Sequence, residues 1–121
     1  MKYTIALLGI TAVVLGAFGA HSLKDLLEPT AIQSYKTAVS YHLIHTVAIL
    51  ALYNSTGSVS TIRLWIVGIL LFSGSIYALT LDELIGLNLN FLGPLTPIGG
   101  LLLAAGWGSV AFKKNIPVDK S

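Results

Sequence analysis

The chain has 121 residues, of which 55% are hydrophobic and only 10% charged, with a mean hydropathy of +0.82 and a formal charge of +2. A soluble domain carries about a quarter charged residues and buries at most about two-thirds of its surface at this size, so the composition calls for lipid rather than water as solvent. Cysteine is absent, which removes disulfides, thiolate metal ligands and thiol nucleophiles, and the small dispersed charge gives no footprint for nucleic acid.

Four apolar stretches, at about residues 3–20, 37–53, 64–81 and 97–112, follow one another with no soluble domain between them. Each is about 16–18 residues long, near the lower limit for crossing a ~30 Å hydrocarbon core at ~1.5 Å per residue. The expectation is an all-α membrane protein. Residues 1–121 form one compact four-transmembrane-helix bundle, with a short interfacial amphipathic segment between spans one and two.

Span one carries a ladder of small residues, Ala12, Gly16 and Ala20. Lys2, the apolar core and Gly16–Ala20 also fit a secretory leader, with Ala17 and Gly19 suited to cleavage. The length of that core and the membranous remainder favour a retained span instead. The segment His21–Lys36 mixes Leu23, Leu26, Leu27 and Ile32 with Lys24, Asp25, Glu28 and Gln33, so it reads as an interfacial turn. Pro29 ends what precedes it, and Thr30 caps the next helix. On span two, Tyr35, Ala38, His42, His45, Thr46 and Ile49 share one helical face, with Tyr41 at its edge. Asn54–Ser58 is a turn. Span three runs the opposite way and places Ser73, Tyr77 and Thr80 as a stripe, with Gly74 and Ala78 as a short ladder. The connection Asp82–Thr96 lies along the membrane surface, and Pro97 suits the first turn of span four. That span carries a second ladder, Gly100, Ala104 and Gly108, matching the one on span one. Close backbone approach at such ladders matters because lipid tails supply no drive for helix association, so spans one and four are expected to pair. A homodimer face is the alternative.

Four spans put both termini and the Asn54–Arg63 loop on one side, together with Lys2, Arg63, Lys113, Lys114 and Lys120. The other side has Lys24 and Lys36 among Asp25, Glu28, Asp82 and Glu83. The excess of basic residues favours both termini in the cytoplasm.

On that opposite side His21, Tyr41, His42, His45, Ser73, Tyr77 and Thr96 fall near one depth, where Gly99 and Gly100 open span four. The inner halves read as nearly pure Leu, Ile, Val and Ala. This suggests a shallow outward-facing pocket that binds a small amphipathic molecule, such as a lipid headgroup or quinone, through a few convergent polar groups. Such a protein is a non-catalytic module whose partners are the bilayer and that ligand. The alternative is a structural scaffold or accessory subunit, with a homo-oligomer or a membrane partner protein. His42 and His45 at i, i+3 can share a metal, but further ligands would have to come from His21 or Asp82, and intramembrane histidines more often hydrogen-bond across helices. Two histidines on one helix cannot supply both axial positions of a haem. No metal or other cofactor is therefore expected. No carboxylate lies deep in a span, and no nucleophile elbow, phosphate loop or zinc-protease motif is present, so nothing supports an enzyme or an ion pump.

The run Gly16–His21 followed by Leu23, then Tyr41 and His45, then Phe72–Tyr77, then Thr96, Pro97, Gly99 and Gly100, then Ala105–Trp107 resembles the domain-of-unknown-function 423 family. These are small bacterial inner-membrane proteins similar to the eukaryotic transmembrane protein 256. The resemblance covers nearly the whole chain and implies a four-span membrane protein of unassigned activity. Many members that it resembles carry Gln where His42 stands. Gln is a poor transition-metal ligand, so the resemblance speaks against a two-histidine metal site.

Overall fold

A computed structural model describes residues 1–55 and 58–112. Among them are four long helices: α1 (Lys2–His21), α2 (Pro29–Tyr53), α3 (Val59–Leu81) and α4 (Leu95–Phe112). Short 3₁₀ turns at Leu23–Asp25, Glu83–Ile85 and Asn90–Leu92 lie in the connections, and no strand occurs among the described residues. The four apolar stretches lie within the four helices. Three segments, Lys2–His21, Val59–Leu81 and Asn90–Phe112, are long and apolar enough to cross a membrane. The polar α2 does not meet that criterion, although its 25 residues span ~37 Å.

Helix α2 starts eight residues earlier than the apolar run from Thr37, because Pro29 initiates rather than terminates helix. It occupies the first helical position, where its missing N–H costs nothing, with Glu28 rather than Thr30 at the N-cap. Residues 29–36, in the stretch expected to hold an interfacial turn and a helix start capped by Thr30, are thus the first two turns of α2. What remains between α1 and α2 is a tight connection anchored by Leu23, which is fully buried.

The helices pack in chain order: α1 against α2, α2 against α3, α3 against α4. Among the described residues α1 and α4 do not pack substantially on each other as expected, and α1 lies on α2 instead. A Cβ at Gly16 would sit 3.2 Å from Val39, and one at Gly19 would fall into the ring of Tyr35. The ladder on α4 is also in the wrong register for packing. Gly108 meets nothing within 4 Å and Ala104 is exposed. The seam with α3 runs instead through Gly99, Leu103 and Gly106, the buried residues of α4. At Gly99 a Cβ would strike the backbone of Leu71 and Phe72, so only glycine permits this approach. Ala12 is buried, whereas Ala20 is exposed.

The core is a band of Ile5, Leu8, Ile49, Ile62, Trp65, Ile69 and Leu103. Around it the outer faces are apolar, with Leu7 at 63%, Ile10 at 62% and Leu101 at 71% exposure. An apolar surface of this extent suits lipid, where it costs nothing.

Candidate functional site

The buried residues of α2 are Tyr35, Ala38, His42, His45, Thr46 and Ile49, one stripe at helical period facing its neighbours. Each polar member of that stripe is held by a partner. His42 Nδ1 lies 2.9 Å from the Tyr77 hydroxyl on α3, and Nε2 lies 3.3 Å from Thr11 Oγ1 on α1. Thr11 directs its hydroxyl proton to the carbonyls of Leu7 and Leu8, at 2.8 and 3.0 Å, which leaves its oxygen to accept. The arrangement therefore protonates His42 on Nε2, and the tyrosine donates to Nδ1. Tyr35 packs beside Tyr77, with ring centroids 5.4 Å apart, and donates to the Leu15 carbonyl at 2.5 Å. Ser73 donates to the Ala38 carbonyl at 2.7 Å, and Thr46 to that of His42 at 2.7 Å.

His45 faces the other way, into an aromatic cluster. Its Nδ1 lies 2.7 Å from the Tyr41 carbonyl one turn back, and its Nε2 2.9 Å from Trp107 Nε1 on α4. A carbonyl only accepts and an indole N–H only donates, so His45 carries its proton on Nδ1, the tautomer opposite to that of His42. Trp65 and Trp107 stand edge-on to the imidazole, at 6.0 and 5.8 Å between centroids, and 4.7 Å from each other. Trp65 donates to the Leu103 carbonyl at 3.2 Å. The Tyr41 ring stacks on His45 and packs on Phe72.

The remaining expected residues lie apart. Thr96 pairs with Ser75 at 2.5 Å, fastening the start of α4 to α3. Gly99 abuts the Phe72 backbone, and Gly100 lies beneath the Phe72 ring. His21 is exposed at the end of α1, and its side chain makes no hydrogen bond among the described residues. The nine residues thus do not line one cavity. Thr11, His42, Ser73 and Tyr77 line an apolar cleft of about 280 Å³ shared by α1, α2 and α3. Tyr41, His45, Phe72, Gly100 and Trp107 line a groove of about 590 Å³ shared by α2, α3 and α4. Thr96 belongs to a third cavity, of about 440 Å³, near the α1–α2 and α3–α4 connections.

Thr11 and Trp107 were not among the residues expected at the site. The signal for each was a lone polar atom in an apolar run that needs a partner in lipid. The other half of the bundle is not purely aliphatic either, because Thr61 and Ser109 join α3 to α4 at 2.6 Å. Among the described residues no group of three or more His, Cys, Asp or Glu side chains converges, and no enclosed side-chain nitrogen or oxygen lacks a hydrogen-bond partner.

Residues 15–100 match a family model described as "Protein of unknown function (DUF423)". A UPF0382 membrane protein of Haemophilus influenzae is 40% identical over 113 residues, covering 89% of this chain and 87% of that protein. The UPF0382 membrane protein C1782.12c of Schizosaccharomyces pombe is 42% identical over 109 residues, with 87% and 92% covered. The UPF0382 membrane protein YwdK of Bacillus subtilis is 35% identical over 109 residues, with 84% and 85% covered. No solved structure matches.

Proposed function

Because this chain belongs to the DUF423 family of membrane proteins, we propose that it is a four-span structural module of the bacterial inner membrane, a scaffold or accessory subunit built on a closed interhelical hydrogen-bond network. Helix α2 is the fourth span in this reading. Its buried stripe of Tyr35, His42, His45 and Thr46 is turned inward, and from Leu43 to Tyr53 its exposed residues are apolar. The exposed Gln33, Ser34, Lys36, Thr37 and Ser40 of its first half belong to the interface. The termini are cytoplasmic: Lys2, Arg63, Lys113, Lys114 and Lys120 belong to that end, against only Lys24 and Lys36 at the other. Lys113, Lys114 and Lys120 lie outside the described residues.

The observation that carries the structural reading is that both ring nitrogens of His42 and of His45 have internal partners. A quinone or lipid headgroup held by these histidines would first have to displace Thr11, Tyr77 or Trp107. In lipid each displaced group would be left without water to replace it. His45→Ala therefore lowers the stability of the bundle and removes no bound molecule. Unfolding in mild detergent, paired with native mass spectrometry of both forms, tests this. A wild-type adduct that vanishes in a variant of unchanged stability would overturn it.

A further inference from the structure

The hydrogen-bonded core leaves the third cavity unused. Its volume is about 440 Å³, within the range of small-molecule sites, and α2, α3, the start of α4 and the two connections wall it. Its polar lining consists almost entirely of acceptors. Thr37 gives its hydroxyl proton to the Gln33 carbonyl at 3.1 Å, and Thr80 gives its own to that of Ile76 at 2.8 Å, so both turn lone pairs outward. Glu28, Asp82 and Glu83 add carboxylates, and no Lys, Arg or His lines the space. Ile76 and Leu79 supply an apolar wall.

Asp82 is the decisive member. It is only 7% exposed, deep for a carboxylate. Among the described residues its side chain makes one hydrogen bond, from the Leu89 N–H to Oδ2 at 3.2 Å. Its second oxygen has no hydrogen-bond partner among the described residues and is not fully enclosed, and Asp82 lines the cavity. A largely buried carboxylate with one open oxygen gains most from a group that is positive and rich in donors. An ammonium has three N–H donors and no acceptor to conflict with the wall.

We propose that this cavity binds the ammonium head of a membrane-borne amine, with Asp82 as its principal acceptor and Ile76 and Leu79 against its apolar stem. The adjoining groove shares Leu27 and Thr37 and bears Lys24 and Lys36, which suits the phosphate of an aminophospholipid. A free polyamine offers the same ammonium without that phosphate.

The test is native mass spectrometry of the full chain in neutral detergent with dihexanoyl phosphatidylethanolamine, its N-acetylated counterpart, and spermidine. The wild type retains the amine lipid about tenfold better than the acetylated one, and Asp82→Asn abolishes the preference. Asn still accepts from the Leu89 N–H, so the connection stays folded, as a thermal melt confirms. Should Asp82→Asn fail to fold, Glu83→Gln, at an exposed position, serves instead and lowers the preference. A joint Lys24→Gln and Lys36→Gln change that weakens the lipid but not spermidine supports the lipid source. Retention of spermidine alone supports the free amine. Equal retention of the amine and acetylated lipids with no spermidine bound, or an undiminished preference in a folded Asp82→Asn chain, overturns the proposal.

Discussion

The Trp107–His45 bond is the only hydrogen bond among the described residues that ties α2 directly to α4, and a double-mutant cycle measures it. Trp107→Phe keeps an aromatic ring against Trp65 but removes the N–H that reaches His45 Nε2 at 2.9 Å. Interhelical hydrogen bonds in membranes average about 0.6 kcal/mol and reach about 1.7. This one belongs near the upper end, because His45 is 5% exposed and its other nitrogen is already committed to the Tyr41 carbonyl. A buried acceptor left unpaired costs about 1–3 kcal/mol, so Trp107→Phe destabilises the bundle by about 2 kcal/mol. His45→Leu strands the indole N–H and costs a similar amount. With both changes neither group is stranded, and the total falls short of the sum by about 1–1.5 kcal/mol. Equilibrium unfolding in mixed micelles of rising sodium dodecyl sulfate fraction, followed by circular dichroism, gives the four free energies. Additivity within about 0.3 kcal/mol would show that the bond contributes nothing and would undo the structural assignment of His45.

Gly99→Ala forces a Cβ into the backbone of Phe72, which cannot rotate away, and costs about 3 kcal/mol, whereas Gly108→Ala meets open space and stays within about 0.5 kcal/mol; equal costs in the same unfolding assay would contradict the seam. His42→Gln keeps a donor and an acceptor for Thr11 and Tyr77 and loses under about 1 kcal/mol, while His42→Leu strands Tyr77 and loses about 2. Thermal unfolding in detergent checks the order, and a reversed order refutes the bonding scheme. Native cysteine is absent, so Leu26→Cys and Ser55→Cys can be probed with a membrane-impermeant maleimide against a clean background. If α2 spans, Leu26→Cys labels in intact cells and Ser55→Cys only after permeabilisation. Labelling of both from one side would leave α2 on the surface.

Polarity at helical period was enough to identify the inward face of α2 from sequence, residue for residue, because a helix in lipid has few other reasons to place Tyr35, His42, His45 and Thr46 on one stripe. Neighbours were not legible in the same way. The two ladders look alike on paper, but a ladder says only that a face permits close approach, and four antiparallel helices with short connections already pack in chain order. On α4 the residues off the ladder, Gly99, Leu103 and Gly106, proved to be the seam. Grouping residues by depth also misled. Long helical side chains lean toward the N-terminus of their own helix, so on antiparallel helices their tips move in opposite directions. Tyr77 starts level with Tyr35, yet its hydroxyl meets His42 nearly two turns further along α2. One apparent polar belt thus separates into a His42 cluster, a His45 cluster and the Ser75–Thr96 pair.

The same geometry accounts for the odd standing of α2, the one long helix too polar to qualify as a span by itself. It packs on α1 and α3 and reaches α4 through Trp107. In lipid the cost of its polar groups is removed only when Thr11, Ser73, Tyr77 and Trp107 are in place, and these come from all three other helices. Helices α1, α3 and α4 are each apolar enough to enter the bilayer on their own hydropathy, whereas α2, as the proposed fourth span, would be stable there only as part of the assembled bundle. Polarity that weakens a span in isolation then acts as the specification of its neighbours. A network with no spare donor or acceptor on either histidine is what that requirement produces.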